Sequence, residues 1–266
     1  MTPNRYNAVW ISDLHLGFRD SKTDFLLEFL DTVGCDTLYL VGDVVDFWQM
    51  ARRPQWRDGH TRVLQALLAK AASGTRVIYV PGNHDDPVRQ YAGLSFGGVE
   101  VRKEAEHVSA DGRRFLIIHG DQFDALIQCR LPYWLSSSLY DFLLLINRSL
   151  NGLRRWVGLP YWSLATHLKQ RIPAALAHIE KFERAAVNEA RHRHFHGVIC
   201  GHIHRAEITE IDGLTYCNTG DWIENCTAMV EHPDGRFEII HGAEEIRVLK
   251  GEARCQAPPR PVGEVA

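Results

Sequence analysis

The stretch AVWISDLH, residues 8–15, decides the fold of this chain, because an apolar run there ends abruptly in polar, ligand-type side chains. Four later stretches have the same form, with β-branched and aromatic residues that lead into glycine, aspartate, asparagine or histidine. They span residues 37–43, 76–85, 115–121 and 198–204. Short apolar runs of this composition are typical of buried strands. We therefore expect five strands with polar side chains at their carboxyl ends.

Helical patterns separate the first three predicted strands. Residues 23–32 and 60–72 repeat apolar side chains three or four positions apart, which is the spacing of one helix face. The resulting β-α-β-α-β order predicts a largely parallel sheet. Binding sites in such sheets gather at the carboxyl ends of the strands, and the polar residues of this chain fall there.

Turn signals of a different kind mark the later half of the chain. Asp-Gly pairs at residues 111–112, 212–213 and 234–235 each lie between alternating apolar runs. Such a pair favours a β-hairpin, because aspartate and glycine accept the backbone angles of a tight type I′ turn. The later half therefore predicts a second, more antiparallel sheet packed on the first.

Residues 125–195 lack a strand pattern and interrupt the strand series between two histidine motifs. We predict that this segment is a helical cap inserted at the site end of the sheets. Its helices are expected at about 134–150, 163–171 and 174–194. The core then spans 1–124 and 196–250, and residues 251–266 are expected to form a disordered tail.

Composition narrows the class of protein. A net charge of −3 gives no overall basic footprint, so we expect no nucleic-acid partner. The six cysteines form no CxxC pair, which favours reduced thiols over a disulfide framework. The start of the chain has no apolar signal region, and no apolar run is long enough for a transmembrane helix. These features predict a cytoplasmic protein.

Five short polar motifs carry the chemistry. They are Asp13-x-His15, Gly42-Asp43-x-x-Asp46, Gly82-Asn83-His84-Asp85, His119-Gly120-Asp121 and Gly201-His202-x-His204. Two divalent cations about 3.5–4 Å apart need a bridging carboxylate and a shell of carboxylate, amide and imidazole ligands. The motifs supply that set without cysteine, which favours Mn, Fe or Zn over Ca or a thiolate zinc site.

The spacing inside the motifs supports the same site. Side chains two positions apart along a strand point the same way, so Asp13 and His15 are expected to face one cluster. The same expectation holds for His202 and His204. Glycines precede three of the motif residues, and they permit a close approach of the backbone where side chains would crowd.

In this order the five motifs resemble those of the calcineurin-like metallophosphoesterases, over residues 9–222. The resemblance implies an α/β fold, a four-layer αββα sandwich of two mixed sheets, around a centre of two divalent cations. The implied ligands are Asp13, His15 and His204 for one cation, Asn83, His119 and His202 for the other, and Asp43 as the bridge. Mn is the expected metal, with Fe or Zn as alternatives.

The same resemblance implies roles for two further residues. His84 would lie beside the phosphate as a general acid or a transition-state donor. Asp46 would hydrogen-bond His84 and fix its orientation. The implied reaction is hydrolysis of a phosphoester or phosphoanhydride by a metal-bound hydroxide, whose formation follows from the lowered pKa of metal-bound water.

The predicted cap indicates the kind of substrate. Residues 125–179 contain six basic residues, one acidic residue and three of the seven tryptophans. A basic, aromatic, leucine-rich helical segment suits an anionic amphiphile or a membrane surface, although any capping helix needs an apolar face. The predicted substrate-binding residues are Arg130, Arg154 and Arg155 of the cap and His60 of the core.

The cap and the stretch from Gly42 to Trp48 are similar to those of one branch of the family, the bacterial UDP-2,3-diacylglucosamine diphosphatases of lipid A synthesis. This resemblance implies a UDP-sugar-lipid pyrophosphate as substrate, release of UMP and peripheral contact with the inner membrane. One position departs from the branch, because its best-described members have arginine where this chain has His84.

Two other functions stay open at this point. The first keeps the chemistry but changes the substrate, as in a soluble phosphodiesterase or nucleotide pyrophosphatase of other specificity. The second is a peripheral membrane-binding protein with a vestigial metal site. The complete set of predicted ligands argues against the second.

Several other polar residues allow two interpretations each. The second interpretation is a local structural role in every case. The residues are His192, His194 and His196 (a third metal site or a solvated helix end), His60 (a substrate contact or a helix terminus), Asp121 and Asp124 (support of the ligands or hairpin-end polar groups), Asn218 and Asp221 (support of the ligands or strand-end polar groups), and His241, which we interpret as a surface histidine.

Overall fold

A computed structural model of the protein describes residues 4–124 and 173–241, which form two mixed β-sheets and their helices. The first part contains β1 (Asn4–Ile11), α1 (Thr23–Thr32), β2 (Val33–Val41), α2 (Phe47–Arg52), α3 (Asp58–Ala72), β3 (Arg76–Val80), β4 (Ser95–Phe96), β5 (Val99–Val101), β6 (Ala105–Val108) and β7 (Arg114–Ile117). The second part contains α4 (Pro173–His192), β8 (Gly197–Cys200), β9 (Glu207–Ile211), β10 (Leu214–Asn218), β11 (Thr227–Glu231) and β12 (Phe237–His241). Two 3-10 turns, Asp86–Tyr91 and Asp121–Phe123, follow polar motifs.

The first sheet has the strand order β12-β11-β1-β2-β3-β5-β4. Its centre is parallel, because β1 pairs with β2, β2 with β3, and β3 with β5 in the same direction. The helices α1 and α3 connect these strands, as the helical periodicity predicted. The predicted β-α-β-α-β order is therefore confirmed. The first three polar motifs follow the carboxyl ends of β1, β2 and β3.

The second sheet has the order β6-β7-β8-β10-β9 and contains two of the three predicted hairpins. The pairs β6–β7 and β9–β10 are antiparallel and flank the Asp-Gly turns at 111–112 and 212–213. The third hairpin, β11–β12, lies instead in the first sheet, where β11 pairs antiparallel with β1. The expectation that all three belong to the second sheet is wrong, because a turn signal identifies a hairpin and not its partner strand.

Three apolar layers lie between the four structural layers. Val9 of β1 belongs to the cluster that packs α1 and α3, with Leu26, on the first sheet. Trp10, from the opposite face of the same strand, belongs to the cluster between the two sheets, together with Ile199. Phe182 of α4 lies in the cluster on the outer face of the second sheet. Successive strand residues point to opposite faces, so β1 is buried on both sides and the order αββα is confirmed.

The helix α4 lies inside the segment 125–195 that the sequence predicted as an inserted cap. Its buried residues Phe182, Ala186 and Val187 pack on β7, β8 and β10, so α4 supplies the fourth layer of the sandwich. Residues 125–172 lie outside the described residues, as does the tail at 251–266. The cap therefore stays a prediction there.

Candidate metal centre

The five polar motifs meet at one end of the sandwich. Six of the seven predicted ligands fall into two groups in which the nitrogen and oxygen atoms that could bind a metal lie within 4.8 Å of one another. The groups are Asp13, His15 and His204, and Asp43, His119 and His202. Both are largely buried, so their charges and lone pairs are withdrawn from water.

In the first group the Asp13 carboxylate faces two imidazoles. Its Oδ1 lies 3.2 Å from Nε2 of His204 and 3.9 Å from Nε2 of His15. Its Oδ2 accepts hydrogen bonds from the Ser12 hydroxyl at 2.5 Å and from the backbone N–H of His202 at 3.1 Å. One oxygen is thus held by the protein, and the other is directed at the histidines.

Asp43 belongs to the second group and also faces the first. Its Oδ2 is 3.3 Å from Nε2 of His119 and 3.8 Å from Nε2 of His15. Its Oδ1 accepts a hydrogen bond from the backbone N–H of His84 at 2.9 Å. A single carboxylate oxygen therefore faces an imidazole of each group, which is the geometry that a bridging ligand requires.

The hydrogen bonds of the His119 ring indicate which of its nitrogens carries a proton, and so whether a cation fits beside the other nitrogen. Nδ1 of His119 lies 2.8 Å from the carbonyl oxygen of Val41, which can only accept, so this nitrogen carries the proton of the neutral ring. The lone pair of His119 Nε2 then faces the Asp43 carboxylate. Two acceptors at this distance repel each other, so either a second proton on Nε2 or a metal cation must lie between them.

Within the described residues, some buried polar atoms of the site have no hydrogen-bond partner, which also indicates a cation site. They include Asp13 Oδ1, His15 Nε2, Asn83 Oδ1 and His119 Nε2. An unsatisfied buried acceptor costs about 1–3 kcal/mol, so four of them in one site require an explanation. Bound divalent cations would satisfy all four, and the mixture of oxygen and imidazole donors fits such ions.

The electrostatics of the site favour positive charge. Burial alone would lower the pKa of His119, but the Asp43 carboxylate outweighs burial and raises that pKa to about 10. Burial would likewise raise the pKa of Asp13, but the charge of His204 holds it at about 2. Burial would also raise the pKa of Asp43, but the charge of His119 holds it well below its usual range. Both carboxylates are therefore ionised, and they favour either a proton on His119 or a bound cation in the site.

His84 is held on several sides beside these groups. Its Nδ1 lies 2.9 Å from Oδ1 of Asp46, while Oδ2 of the same carboxylate lies 2.9 Å from Nδ1 of His15. The Trp48 ring covers another side, with ring centroids 4.4 Å apart. Burial lowers the pKa of His84, but the contact with Asp46 outweighs it and raises that pKa. Asp46 thus orients both the predicted acid and a predicted ligand, and only the first contact was expected.

The backbone corrects the reason given for the spacing of the ligands. β1 ends at Ile11, so Asp13 and His15 lie in a loop with φ values of 54° and 45°, not in a strand. Asp43 (54°), His202 (72°) and His204 (55°) share this left-handed conformation. His202 and His204 also face different groups, so the expectation that each pair faces one cluster is wrong for the second pair.

Glycines allow the loops to approach, as the sequence predicted. A Cβ atom at Gly82 would lie 2.3 Å from Asp43 Oδ1, and one at Gly42 would lie 2.1 Å from His119 Nδ1. These distances are far below van der Waals contact. The ligand loops therefore pack against one another with no room for a side chain.

Several supporting residues were missed or left open by sequence reasoning. Asp85 is fully buried and accepts hydrogen bonds from the backbone N–H of Val44 at 2.7 Å, from Gly82 and from the Tyr79 hydroxyl. Its only signal was its place in the motif at 82–85. Asp85 ties the loop after β2 to the loop after β3.

Some of the polar residues with two possible roles support the ligand loops, and others have a local structural role. Asp124 contacts Nε2 of His202 at 2.9 Å, and the Asn218 side chain donates to the carbonyl of Gly201 at 2.6 Å, so both support the ligand loops. Asp221 instead caps its own turn, where it accepts from the backbone N–H of Ile223.

The other histidines lie apart from the two groups. His60 is buried at the start of α3 and its Nδ1 accepts from the backbone N–H of Arg57, which fits the helix-terminus interpretation. Among the described residues, no candidate metal group contains His192, His194 or His196. His241 is exposed at the end of β12. A substrate contact by His60 stays a prediction, and Arg130, Arg154 and Arg155 lie outside the described residues.

A family model described as calcineurin-like phosphoesterase matches residues 6–206. This range covers most of the chain and every residue of the two groups. The chain belongs to the calcineurin-like phosphoesterase family. The predicted resemblance is thereby confirmed, and the family match supports a metal-dependent phosphoester hydrolase.

Several curated relatives of this family member are named UDP-2,3-diacylglucosamine hydrolase. A UDP-2,3-diacylglucosamine hydrolase of Serratia proteamaculans is 32% identical over 119 residues, which cover 43% of this chain and 48% of the relative, about half its length. One from Aeromonas salmonicida is 29% identical over 247 residues, which cover 85% of this chain and 90% of the relative. The solved structure of an archaeal phosphodiesterase is 13% identical, with a TM-score of 0.43, and covers 88% of this chain and 98% of that chain.

Removal of divalent cations is expected to destabilise this phosphoesterase, because the buried carboxylates and lone pairs lose their counter-charge. A ligand at 100 times its Kd contributes about 2.7 kcal/mol, and a domain of this size shifts its Tm by about 2–4 °C per kcal/mol. We expect Tm to fall by about 5–10 °C in EDTA and to recover when Mn²⁺ is restored. Differential scanning fluorimetry measures both shifts.

The control for this experiment is Ca²⁺, which prefers oxygen ligands and should restore less stability than Mn²⁺ at a site that contains imidazoles. A Tm that neither EDTA nor excess Mn²⁺ changes would contradict a metal centre at these residues.

Proposed function

We propose that this phosphoesterase holds two divalent cations and hydrolyses a phosphoanhydride of the UDP-2,3-diacylglucosamine type, with release of UMP. The observation that carries the proposal is the placement of Asp43, whose Oδ2 faces His15 of one group and His119 of the other. A carboxylate shared by two imidazole-bearing groups is what a pair of cations needs. The alternative of a vestigial site is disfavoured, because the set of predicted ligands is complete.

Bound cations would polarise the phosphate and lower the pKa of the attacking water, and the mixed oxygen and nitrogen donors favour Mn, with Fe or Zn as alternatives. Asp13 and Asp43 supply negative charge that concentrates the cations in the buried site. The imidazoles of His119 and His15 would bind a cation through Nε2, because their Nδ1 atoms are engaged by Val41 and Asp46.

His84 is proposed to act on the leaving group. Its side chain is 22% exposed, more than the 15% of His204 and the 14% of His202. The Asp46 carboxylate at Nδ1 favours the protonated ring and orients Nε2 outward. A positioned, charged imidazole can donate a proton to the departing phosphate oxygen or stabilise the charge that develops there.

The substrate class rests on the relatives and on the predicted cap. The relatives from Serratia proteamaculans and Aeromonas salmonicida are named UDP-2,3-diacylglucosamine hydrolases. Arg130, Arg154 and Arg155 remain the proposed contacts for an anionic lipid substrate, and a cytoplasmic enzyme in peripheral contact with the inner membrane fits such a substrate. In the described part of the chain, no helix combines the length and apolarity that crossing a membrane requires.

A second candidate keeps the chemistry and changes the substrate. His84 stands where the best-described members of the diphosphatase branch have arginine. This departure favours a phosphodiesterase or nucleotide pyrophosphatase of other specificity. The two candidates differ in what the enzyme requires beyond the phosphate, and substrate comparison separates them.

Purified protein with Mn²⁺ is expected to release UMP from UDP-2,3-diacylglucosamine in mixed micelles much faster than it cleaves a soluble aryl phosphodiester. Chromatography measures the UMP, and absorbance measures the aryl product. Because Arg114 is exposed and lies on β7 outside the groups, Arg114→Ala serves as the matched control and should keep the wild-type rate.

Fast aryl cleavage with little UMP would favour the second candidate and remove the lipid assignment. No metal-dependent turnover of either substrate would contradict both candidates.

A further inference from the structure

We propose that Arg89 and Asp121 are positioning residues that hold the loops of Asn83 and His119 at the spacing needed to bind one cation. The proposal rests on the two-cation function proposed above and concerns residues outside the predicted ligand set. Arg89 lies in the 3-10 turn that follows Asn83, and Asp121 begins the 3-10 turn that follows His119. The pair therefore joins a loop of the first sheet to a loop of the second.

The contacts of the Arg89 guanidinium are specific. Its Nη2 lies 2.7 Å from Oδ1 and 2.8 Å from Oδ2 of Asp121. The same nitrogen and Nε lie 3.2 and 3.4 Å from the carbonyl oxygen of Pro81, the residue that follows β3. Nη1 contacts Asp86 at 3.1 Å. One rigid, planar group thus binds the end of β3, its own turn and the loop after β7.

This pair is more enclosed than the surface pair of Arg114 and Glu106. The Asp121 side chain is 12% exposed and that of Arg89 is 34% exposed, whereas Arg114 and Glu106 are 47% and 40% exposed. Desolvation offsets much of the attraction in a buried ion pair. Such a pair therefore adds little stability, and its main effect is to fix the geometry of the groups that it joins. The geometry fixed here is the distance between two ligand loops.

The ligand loops leave little room for that distance to vary. A Cβ atom at Gly82 would lie 2.3 Å from Asp43 Oδ1 and 2.6 Å from Cδ2 of His119, so these loops are in direct contact. Asn83 Oδ1 is buried and has no hydrogen-bond partner among residues 4–124 and 173–241. A small movement of either loop would take the Asn83 amide and the His119 imidazole out of the range of one cation.

Asp121 also belongs to a short segment that carries other contacts of the site. His119 precedes it by two residues, and Asp124, three residues later, contacts His202 at 2.9 Å. The segment from His119 to Asp124 therefore holds or orients two predicted ligands of the same cation. Arg89 ties this segment to the first sheet through an ion pair.

The test is a titration of metal-free protein with Mn²⁺, followed by electron paramagnetic resonance, alongside Tm. We expect Arg89→Ala and Asp121→Asn to weaken one of two Mn²⁺ sites by about 10–100-fold, the range typical for residues that support metal ligands. Arg89→Lys should be intermediate, because an ammonium keeps the charge and loses the planar contacts. The matched control, Arg114→Ala, should bind both ions as the wild type does.

Wild-type affinity at both sites in Arg89→Ala, with only a lower Tm, would overturn the proposal. If Arg89→Ala does not fold, the isosteric Asp121→Asn provides the test. Wild-type Mn²⁺ affinity at both sites of Asp121→Asn would also overturn the proposal. A wild-type protein that binds no Mn²⁺ would instead overturn the two-cation function itself.

Discussion

Asp43→Ala is expected to abolish hydrolysis, with a loss in kcat of at least about 10³-fold and loss of both Mn²⁺ ions. Removal of one charge-stabilising donor from an active site costs about 10²–10³-fold, and Asp43 serves both predicted cations. Its Oδ2 faces His119 at 3.3 Å and His15 at 3.8 Å, so its loss leaves each group without the shared charge. Turnover and Mn²⁺ stoichiometry measure the effect.

The conformation of Asp43 requires a second variant. With φ at 54° the residue is left-handed, where alanine is strained and asparagine is tolerated. Asp43→Asn keeps the shape and the acceptor for the His84 N–H, so we expect a folded protein with a large loss of activity. Asp31, exposed on α1, supplies the matched control Asp31→Ala. Near wild-type turnover in Asp43→Asn would contradict a bridging carboxylate.

His84→Gln is expected to lower kcat by about 10²–10⁴-fold, the usual contribution of a general acid, while Mn²⁺ binding is retained. The imidazole contacts Asp46 and Trp48 but belongs to neither predicted set of cation ligands. Glutamine keeps a polar side chain of similar length and cannot carry the proton. Steady-state kinetics at saturating Mn²⁺ measures the change.

The pH–rate profile tests whether the protonated form of His84 takes part. If the imidazolium donates a proton or stabilises charge, the wild-type rate falls at high pH and His84→Gln loses that limb of the profile. If a neutral ring only donates a hydrogen bond, the shape of the profile persists at a lower rate. The exposed His241 at the end of β12 gives the control His241→Gln. Unchanged kcat in His84→Gln would remove His84 from the reaction.

Much of the fold was predictable because the sequence carries two physical signals at once. Strands such as β1 and β2 are apolar on both faces, and they end in polar residues that have no place in a core. Together these features identify parallel strands and the edge where a site forms. The same logic found the residues of both groups, since their histidines and aspartates follow the ends of predicted strands.

The features of the fold that the sequence did not predict depend on tertiary contacts, which a local sequence pattern does not contain. Helix α4 has an apolar face, and periodicity alone does not say that this face packs on the second sheet. The turn at 234–235 predicted a hairpin, and its place beside β1 follows from edge pairing. Arg89 and Asp121 lie 32 residues apart, so only the fold reveals their contact.

The left-handed conformation of five predicted ligands has a consequence for how this chain can evolve. A non-glycine residue in that region costs on the order of 1 kcal/mol, although aspartate and histidine tolerate it better than most. The ligand loops therefore destabilise the metal-free protein, and a bound cation offsets this cost. The residues in this conformation are Asp13, His15, Asp43, His202 and His204. Glycine at any of these positions would relieve that cost and destroy the chemistry. A lineage freed from selection for catalysis would thus gain stability from such replacements and lose the metal centre.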